Sequence, residues 1–174
     1  MRKLLSIAAL AALCVAPCAT LAQSTAMASS VATIGVGPHG YDWLVGTWSC
    51  TNSMPGPMSG PAQLTLTATR SNVGAISFHS TGTNFDAIGY VAYAAKTKTW
   101  WNPSSNSTGG YGTESSTQTG KKTTWTGPYT DASGKSVQQR DMYTWTNANT
   151  FNDVFAVDMG GTWKTEGNTT CTKT

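Results

Sequence analysis

The side chains best suited to holding a small molecule are mainly aromatic rings in the second half of the chain. If strands carry them, the rings that point inward line an apolar cavity and place phenol and indole donors at its edge. The same rings can instead fill the interior by packing alone. The residues that we predict to contact a ligand are Tyr90, Trp100, Trp101, Trp125, Arg140, Tyr143 and Phe155.

Two parts of this set have an orientation that the sequence leaves open. Trp100 and Trp101 are neighbours, so on a strand one faces inward and the other faces outward, where it can stack on a sugar or an apolar ligand. Arg140 either points into solvent or points inward as an anchor for an anion. An inward arginine needs a carboxylate partner because an unpaired buried charge is costly, and Asp153 is one such partner.

Side chains for acid–base or nucleophilic catalysis are few and scattered. His39 lies ahead of the folded domain, and His79 follows inward Phe78 on a predicted strand, so we expect it to face outward. We predict no catalytic residue, no cofactor and no metal site, which makes an enzyme the least favoured function. The sequence does not show which carboxylates meet among Asp86, Glu114, Asp141, Asp153, Asp158 and Glu166.

Charge and the N-terminal segment narrow the partners and the compartment. The net charge is +3 and only 11% of residues are charged, so there is no basic patch for nucleic acid. Residues 1–22 combine a basic start, a short apolar run and small residues at a cleavage site, which predicts a signal peptide; cleavage after Ala28 is an alternative. We expect a flexible leader over 23–40, one domain over 41–174, no integral membrane segment after cleavage, and a periplasmic or secreted protein of unspecified oligomeric state.

Cys50 and Cys171 are the two cysteines that remain once the leader is removed. In an oxidising compartment an isolated pair predicts a disulfide, here between the first and the last strand. A disulfide requires Cα atoms within roughly 7 Å, so these strands must lie side by side. This favours a closed sheet over an open sandwich, although a sandwich also permits the bond.

Short alternating runs rich in Thr, Val, Tyr, Trp and Phe recur about every ten residues and are separated by turn clusters. This pattern predicts an all-β fold, an antiparallel up-and-down barrel of about ten strands closed by one disulfide. The segment 54–61 contains three prolines, which cannot donate to a sheet, so it is predicted to be a loop at the barrel mouth.

The opening Gly46-Thr47-Trp48, preceded by a short turn at 42–45, resembles the first strand of lipocalin-like barrels. The rest resembles a bacterial lipocalin-like family of unknown function. Lipocalins set an arginine from the final strand against the Gly-x-Trp tryptophan, and here that region offers Lys164 or Lys173. The other matching segments are 89–90, 100–101, 125–127, 139–143 and 163–166.

This resemblance implies a calycin-like barrel with an interior site. We therefore expect an exported binding module for a small, largely apolar or aromatic ligand. The alternative is a structural or protein-interaction domain of the cell envelope with a filled core and no ligand.

Overall fold

The computed structural model describes residues 40–56 and 58–174. The predicted signal peptide (1–22) and all but the last residue of the predicted leader (23–40) lie outside the described residues. The described chain begins with a 3-10 turn, Asp42–Leu44. Ten antiparallel strands follow: β1 (Gly46–Asn52), β2 (Gln63–Arg70), β3 (Ile76–Gly82), β4 (Phe85–Ala94), β5 (Thr99–Asn106), β6 (Tyr111–Ser116), β7 (Lys122–Thr130), β8 (Ser136–Asn147), β9 (Thr150–Asp158) and β10 (Trp163–Lys173).

The strands follow one another round a closed barrel, because β1 pairs with β2 on one side and with β10 on the other. Cys50 and Cys171 face each other directly in the β1–β10 register and form a disulfide. The predicted fold is therefore confirmed: an up-and-down barrel whose first and last strands are joined covalently. Closure gives each of the ten described strands a partner on both sides.

Side chains at every second position of a strand point into the barrel. On β1, Trp48, Cys50 and Asn52 are buried, whereas the Thr and Ser residues around them are exposed. On β2, Leu64 and Leu66 take the inward positions between exposed threonines. The outer face is thus solvated largely by hydroxyl groups, in keeping with the low fraction of charged residues.

The 3-10 turn packs across one end of the barrel, which we call the closed end. Leu44 is buried there, and its carbonyl accepts a hydrogen bond of 2.8 Å from the indole N–H of Trp48. Trp43 stacks on Trp145 and meets the ring of Phe151 edge-on at 5.2 Å. Large rings pack against rings here, so this end excludes water, and the indole nitrogens of Trp43 and Trp145 are buried without a hydrogen-bond partner among the described residues.

A lysine from the last strand, β10, packs against the closed end and donates a hydrogen bond there. The Nζ atom of Lys173 lies 5.1 Å from the ring centroid of Trp48 and donates a hydrogen bond of 2.8 Å to the carbonyl of Val45. Gly46 has a φ of 134°, and a Cβ atom there would lie 2.6 Å from Cε of Lys173. Of the two lysines that the sequence offered, Lys173 meets the tryptophan, whereas Lys164 pairs with Glu166 at 2.7 Å.

The opposite end, which we call the mouth, carries the proline-containing segment. As predicted, no strand of the described residues runs through 54–61. The amide of Asn52 donates to the carbonyl of Ser59 at 2.9 Å, and its side-chain oxygen accepts from the N–H of Met54 at 3.0 Å. These bonds hold the loop against the end of β1. Over the described residues, no helix has the length and apolar character needed to span a membrane.

Candidate ligand-binding cavity

A cavity of about 230 Å³ occupies the barrel interior between the closed end and the mouth. It exceeds the engineered apolar cavity of about 150 Å³ that takes up benzene in another protein. Met58 and Ser59 of the mouth loop line it, as does the Cys50–Cys171 disulfide. A molecule with one aromatic ring and a short substituent matches this volume.

One wall of the cavity is apolar. It consists mainly of apolar inward side chains from three consecutive strands, β2, β3 and β4, with Ser80 of β3 among them. Such a surface binds a hydrocarbon or a ring through burial of apolar area. The residues of this wall are Leu64, Leu66, Phe78, Phe85, Ala87 and Val91.

The facing wall is polar. Asn102 on β5, Gln139 and Asp141 on β8, and Asp153 on β9 all line the cavity. Large aromatic residues point inward from the same strands. On β8, for example, Tyr143 lies two positions after Asp141, and both side chains line the cavity. The sheet therefore places amide and carboxyl groups across from the hydrocarbon wall, and a bound molecule meets both.

The polar wall brings together three carboxyl groups. Asp141 and Asp153 lie on neighbouring strands, and Glu114 on β6 is hydrogen-bonded to Asp141 although β7 runs between their strands. Gly127 of β7 makes this approach possible, since a Cβ atom there would lie 2.8 Å from the Cα of Glu114. Glu114 is only 2% exposed, so its carboxyl group has left bulk water.

Burial controls the protonation of this cluster. Loss of solvation raises the pKa of Asp141 to about 6, partly offset by the hydrogen bond from Glu114. Burial, then repulsion from Asp141, raises the pKa of both Glu114 and Asp153 well above the ordinary range. Burial therefore favours the protonated, neutral form of all three carboxyl groups. Burial also raises the pKa of Tyr143, so its phenol stays protonated.

Several acceptor atoms of this wall are unused. Among the described residues, none forms a hydrogen bond with Oδ1 of Asn102, which is 7% exposed, or with Oδ1 of Asp153. No Lys, Arg or His side chain is found among the described residues that line the cavity. Buried acceptors are normally satisfied, and an exception calls for an explanation in function or in bound molecules.

The cavity floor consists of aromatic rings. Tyr41 and Trp125 approach to 5.1 Å between ring centroids, and Tyr143 and Phe151 to 5.9 Å. The phenol of Tyr41 donates to the carbonyl of Gln118 at 2.9 Å, so it is held in place. Ring faces carry a negative quadrupole, so this floor favours apolar groups and cations alike.

The predicted ligand-contacting residues divide between the two faces of the barrel. Trp125, Tyr143 and Phe155 line the cavity. Trp100 is inward but packs behind the floor, with its ring centroid 4.8 Å from that of Tyr41. The expectation that Trp100 and Trp101 point opposite ways is met, since Trp101 is 45% exposed on the outside.

Tyr90 and Arg140 also lie on the outer face. Tyr90 is 49% exposed. The guanidinium carbon of Arg140 lies 4.4 Å from the ring centroid of Trp163, outside the barrel. Its neighbours Gln139 and Asp141 point inward, and strand alternation therefore sends Arg140 outward. The outward alternative for Arg140 is the one observed, so it neither pairs with Asp153 nor anchors an anion in the cavity.

His79 points outward, as its parity with Phe78 predicted. Its Nε2 atom lies 3.0 Å from a carboxylate oxygen of Asp86, and both side chains are more than half exposed. This surface pair is remote from the interior carboxyl groups. No group of three or more His, Cys, Asp or Glu side chains in the described part of the chain is arranged to hold a metal ion.

The sequence analysis did not assign Asn102, Glu114, Asp141 or Asp153 to a site. A signal for two of them was present: Asp141 has the parity of Tyr143, and Asp153 has the parity of Phe151 and Phe155. An acidic residue in register with inward rings must itself be inward. Glu114 lies in the segment 113–117, which contains only Thr, Glu and Ser, so no apolar side chain marks which of its positions face inward.

The fold and cavity define a closed antiparallel up-and-down β-barrel with an interior cavity that has one apolar and one polar wall. The sequence matches no protein-family model and no curated protein.

Proposed function

We propose that this protein is an exported, lipocalin-like binding protein that holds a small, largely apolar or aromatic ligand inside its barrel. The observation that carries the proposal is the cavity inside the barrel, with its hydrocarbon wall and aromatic floor. A filled barrel of this size has side chains where this one has space. The disulfide supports export, because such bonds persist in oxidising compartments.

A small nitroaromatic quencher such as nitrobenzene tests this function, because Trp43 and Trp125 line the cavity. We expect saturable quenching of tryptophan emission, superimposed on the linear collisional quenching of exposed rings such as Trp101. Native mass spectrometry of gently purified protein should show a bound small molecule. Strictly linear quenching, together with an empty protein in the mass spectrum, contradicts an interior site.

A matched pair of substitutions on one strand locates the binding. Ala87 lines the cavity, whereas Ala92 lies on the outer face of the same strand β4. We expect Ala87→Phe to abolish the saturable component by occupying the space, and Ala92→Phe to leave it unchanged. Equal loss in both variants indicates binding outside the barrel.

The second candidate, a protein-interaction domain, is favoured by one feature of the outer surface. The outer faces of β4, β5 and β6 expose Ile88, Tyr90, Trp101 and Tyr111, each by 45–59%. Exposed apolar patches mark interaction surfaces. Sedimentation velocity of the wild type and of the double variant Tyr90→Ser, Trp101→Ser tests this role. Association that the double variant loses, in a protein without saturable quenching, supports the second candidate over the first.

A further inference from the structure

We propose that the interior ligand is an amine: a protonated nitrogen on a small apolar or aromatic body, held by Asp141, Asp153 and Asn102. This inference rests on the proposed binding function and names the chemical class of its ligand. The amine lies against the polar wall, and the hydrocarbon part lies against the wall formed by β2, β3 and β4.

The first step is the mismatch of charge and hydrogen bonding at the polar wall; the unpaired indole donors of the cavity lining, Trp43 and Trp125, are neutral and do not balance its charge. The polar wall presents acceptors from three strands, and two of them, Oδ1 of Asn102 and Oδ1 of Asp153, have no partner among the described residues. The described lining includes no basic side chain to neutralise the carboxyl groups. An ammonium group has three donors and one positive charge, so it satisfies both deficits at once.

The second step is the choice of a nitrogen cation over a metal ion. The described carboxyl groups are not arranged as metal ligands. Aromatic rings, including Trp125 and Tyr143, line the cavity near these carboxyl groups. Ring faces attract ammonium groups, whereas calcium and magnesium require a shell of oxygen ligands. The composition of the site therefore matches an organic ammonium ion.

The third step concerns protons. The titratable groups that interact with Asp141 and Asp153 are Glu114 from β6 and Tyr143 from β8, and Tyr143 in turn faces Tyr41, ahead of β1. Burial, then repulsion from Asp141, raises the pKa of the Asp153 carboxyl and so favours its protonated form. An ammonium group favours the ionised form of these carboxyl groups. Binding of the amine should therefore release protons to the solvent.

Isothermal titration with three compounds of one shape tests the inference: phenethylamine, 2-phenylethanol and phenylacetate. Near neutral pH we expect the amine to bind about 10- to 100-fold more tightly than the alcohol, as for a charge-assisted hydrogen bond. Phenylacetate should bind least. Repeating the amine titration in buffers of different ionisation enthalpy should show proton release.

Variants then assign the effect to the polar wall. Asp153→Asn and Asn102→Leu should each weaken binding of phenethylamine by about tenfold or more and leave binding of 2-phenylethanol nearly unchanged. Asp86→Asn, on the outer face, is the matched control and should change neither. Retained alcohol binding also shows that each variant is folded, so a loss of amine binding is specific.

Lowering the pH to about 5 should weaken amine binding about tenfold, because the pKa of Asp141 is about 6. Alcohol binding should not change. Equal affinities for amine and alcohol overturn the inference and leave the proposed function standing. If none of the three compounds binds, the proposed function fails and the inference fails with it. If calcium or magnesium binds to the wild type but not to Asp153→Asn, the inference of an amine ligand is also overturned, in favour of a metal site.

Discussion

The closed end and the polar wall are built from similar strands but differ in the kind of buried polar group that lacks a partner among the described residues: indole donors of Trp43 and Trp145 at the first, amide and carboxyl acceptors at the second. At the closed end, the indole N–H of Trp48 and the ammonium of Lys173 each donate to a backbone carbonyl, and Arg70 pairs with Asp42. At the polar wall, acceptors of Asn102 and Asp153 lack partners among the described residues. The closed end is dominated by ring packing around its backbone-directed hydrogen bonds, whereas the polar wall holds buried carboxyl and amide acceptors that cost stability and are suited to a ligand that donates hydrogen bonds.

Replacing Trp48 should have the largest effect on stability, because its side chain is fully buried at the centre of the closed end. We expect Trp48→Ala to lower the free energy of unfolding by about 3–5 kcal/mol. Urea denaturation followed by far-UV circular dichroism measures it. The exposed Trp101→Ala serves as the control and should cost far less. Similar losses in the two variants contradict the assignment of the closed end as the stabilising region.

Removing the disulfide should have the next largest effect. The bond closes a segment with a sequence separation of 121 residues, so it restricts the unfolded chain strongly. The double variant Cys50→Ala, Cys171→Ala should lose about 2–4 kcal/mol, measured by denaturant unfolding against the oxidised wild type. Adding a reductant should lower the unfolding free energy of the wild type to that of the variant, and should leave the unfolding free energy of the variant unchanged. No effect of the reductant on the wild type speaks against the bond.

Removing a buried carboxylate from the polar wall should instead raise the free energy of unfolding. The folded-state pKa of Asp141, about 6, lies above its ordinary 3.8. Between these values the folded protein holds more protons than the unfolded chain, so stability falls as the pH rises. Asp141→Asn should be more stable than the wild type at neutral pH by roughly 1–3 kcal/mol, with a smaller gain at acid pH.

Unfolding free energies measured across this pH window provide the test. The wild type should lose stability as the pH rises, and Asp141→Asn should show a shallower slope. Asp86→Asn, whose site is on the outer face, should keep the slope of the wild type. A wild-type stability that instead increases with pH between about 4 and 6 contradicts the burial of these carboxyl groups.

Arg140 gives the smallest expected effect. It stacks on Trp163 outside the barrel, and such a contact contributes about 0.5–1 kcal/mol at exposed sites. Arg140→Ala should lower stability by no more than this amount and leave binding of an interior ligand unchanged. A marked loss of ligand affinity in this variant, measured by titration calorimetry, contradicts its outward position.

The sequence predicted the barrel more fully than the site. Alternation and turn clusters predicted the strands and their sequential order, and the Cys50–Cys171 pair favoured closure over an open sandwich. Because adjacent residues of a strand face opposite sides, the sequence also predicted that Trp100 and Trp101 point in opposite directions. The carboxyl cluster depends instead on how β6, β8 and β9 align round the sheet, and on Gly127 letting Glu114 reach Asp141. Local patterns do not specify these register relationships.

The pairing of the first strand with the last has a practical consequence for handling the protein. The N–H of Thr174 donates to the carbonyl of Thr47 at 3.0 Å, so the C-terminus sits beside the start of the barrel domain, at the end away from the mouth. A surface tether or fused reporter attached after Thr174 should therefore present the opening freely to the solution. A short linker between residues 174 and 41 should likewise allow circularly permuted chains that begin in a hairpin turn.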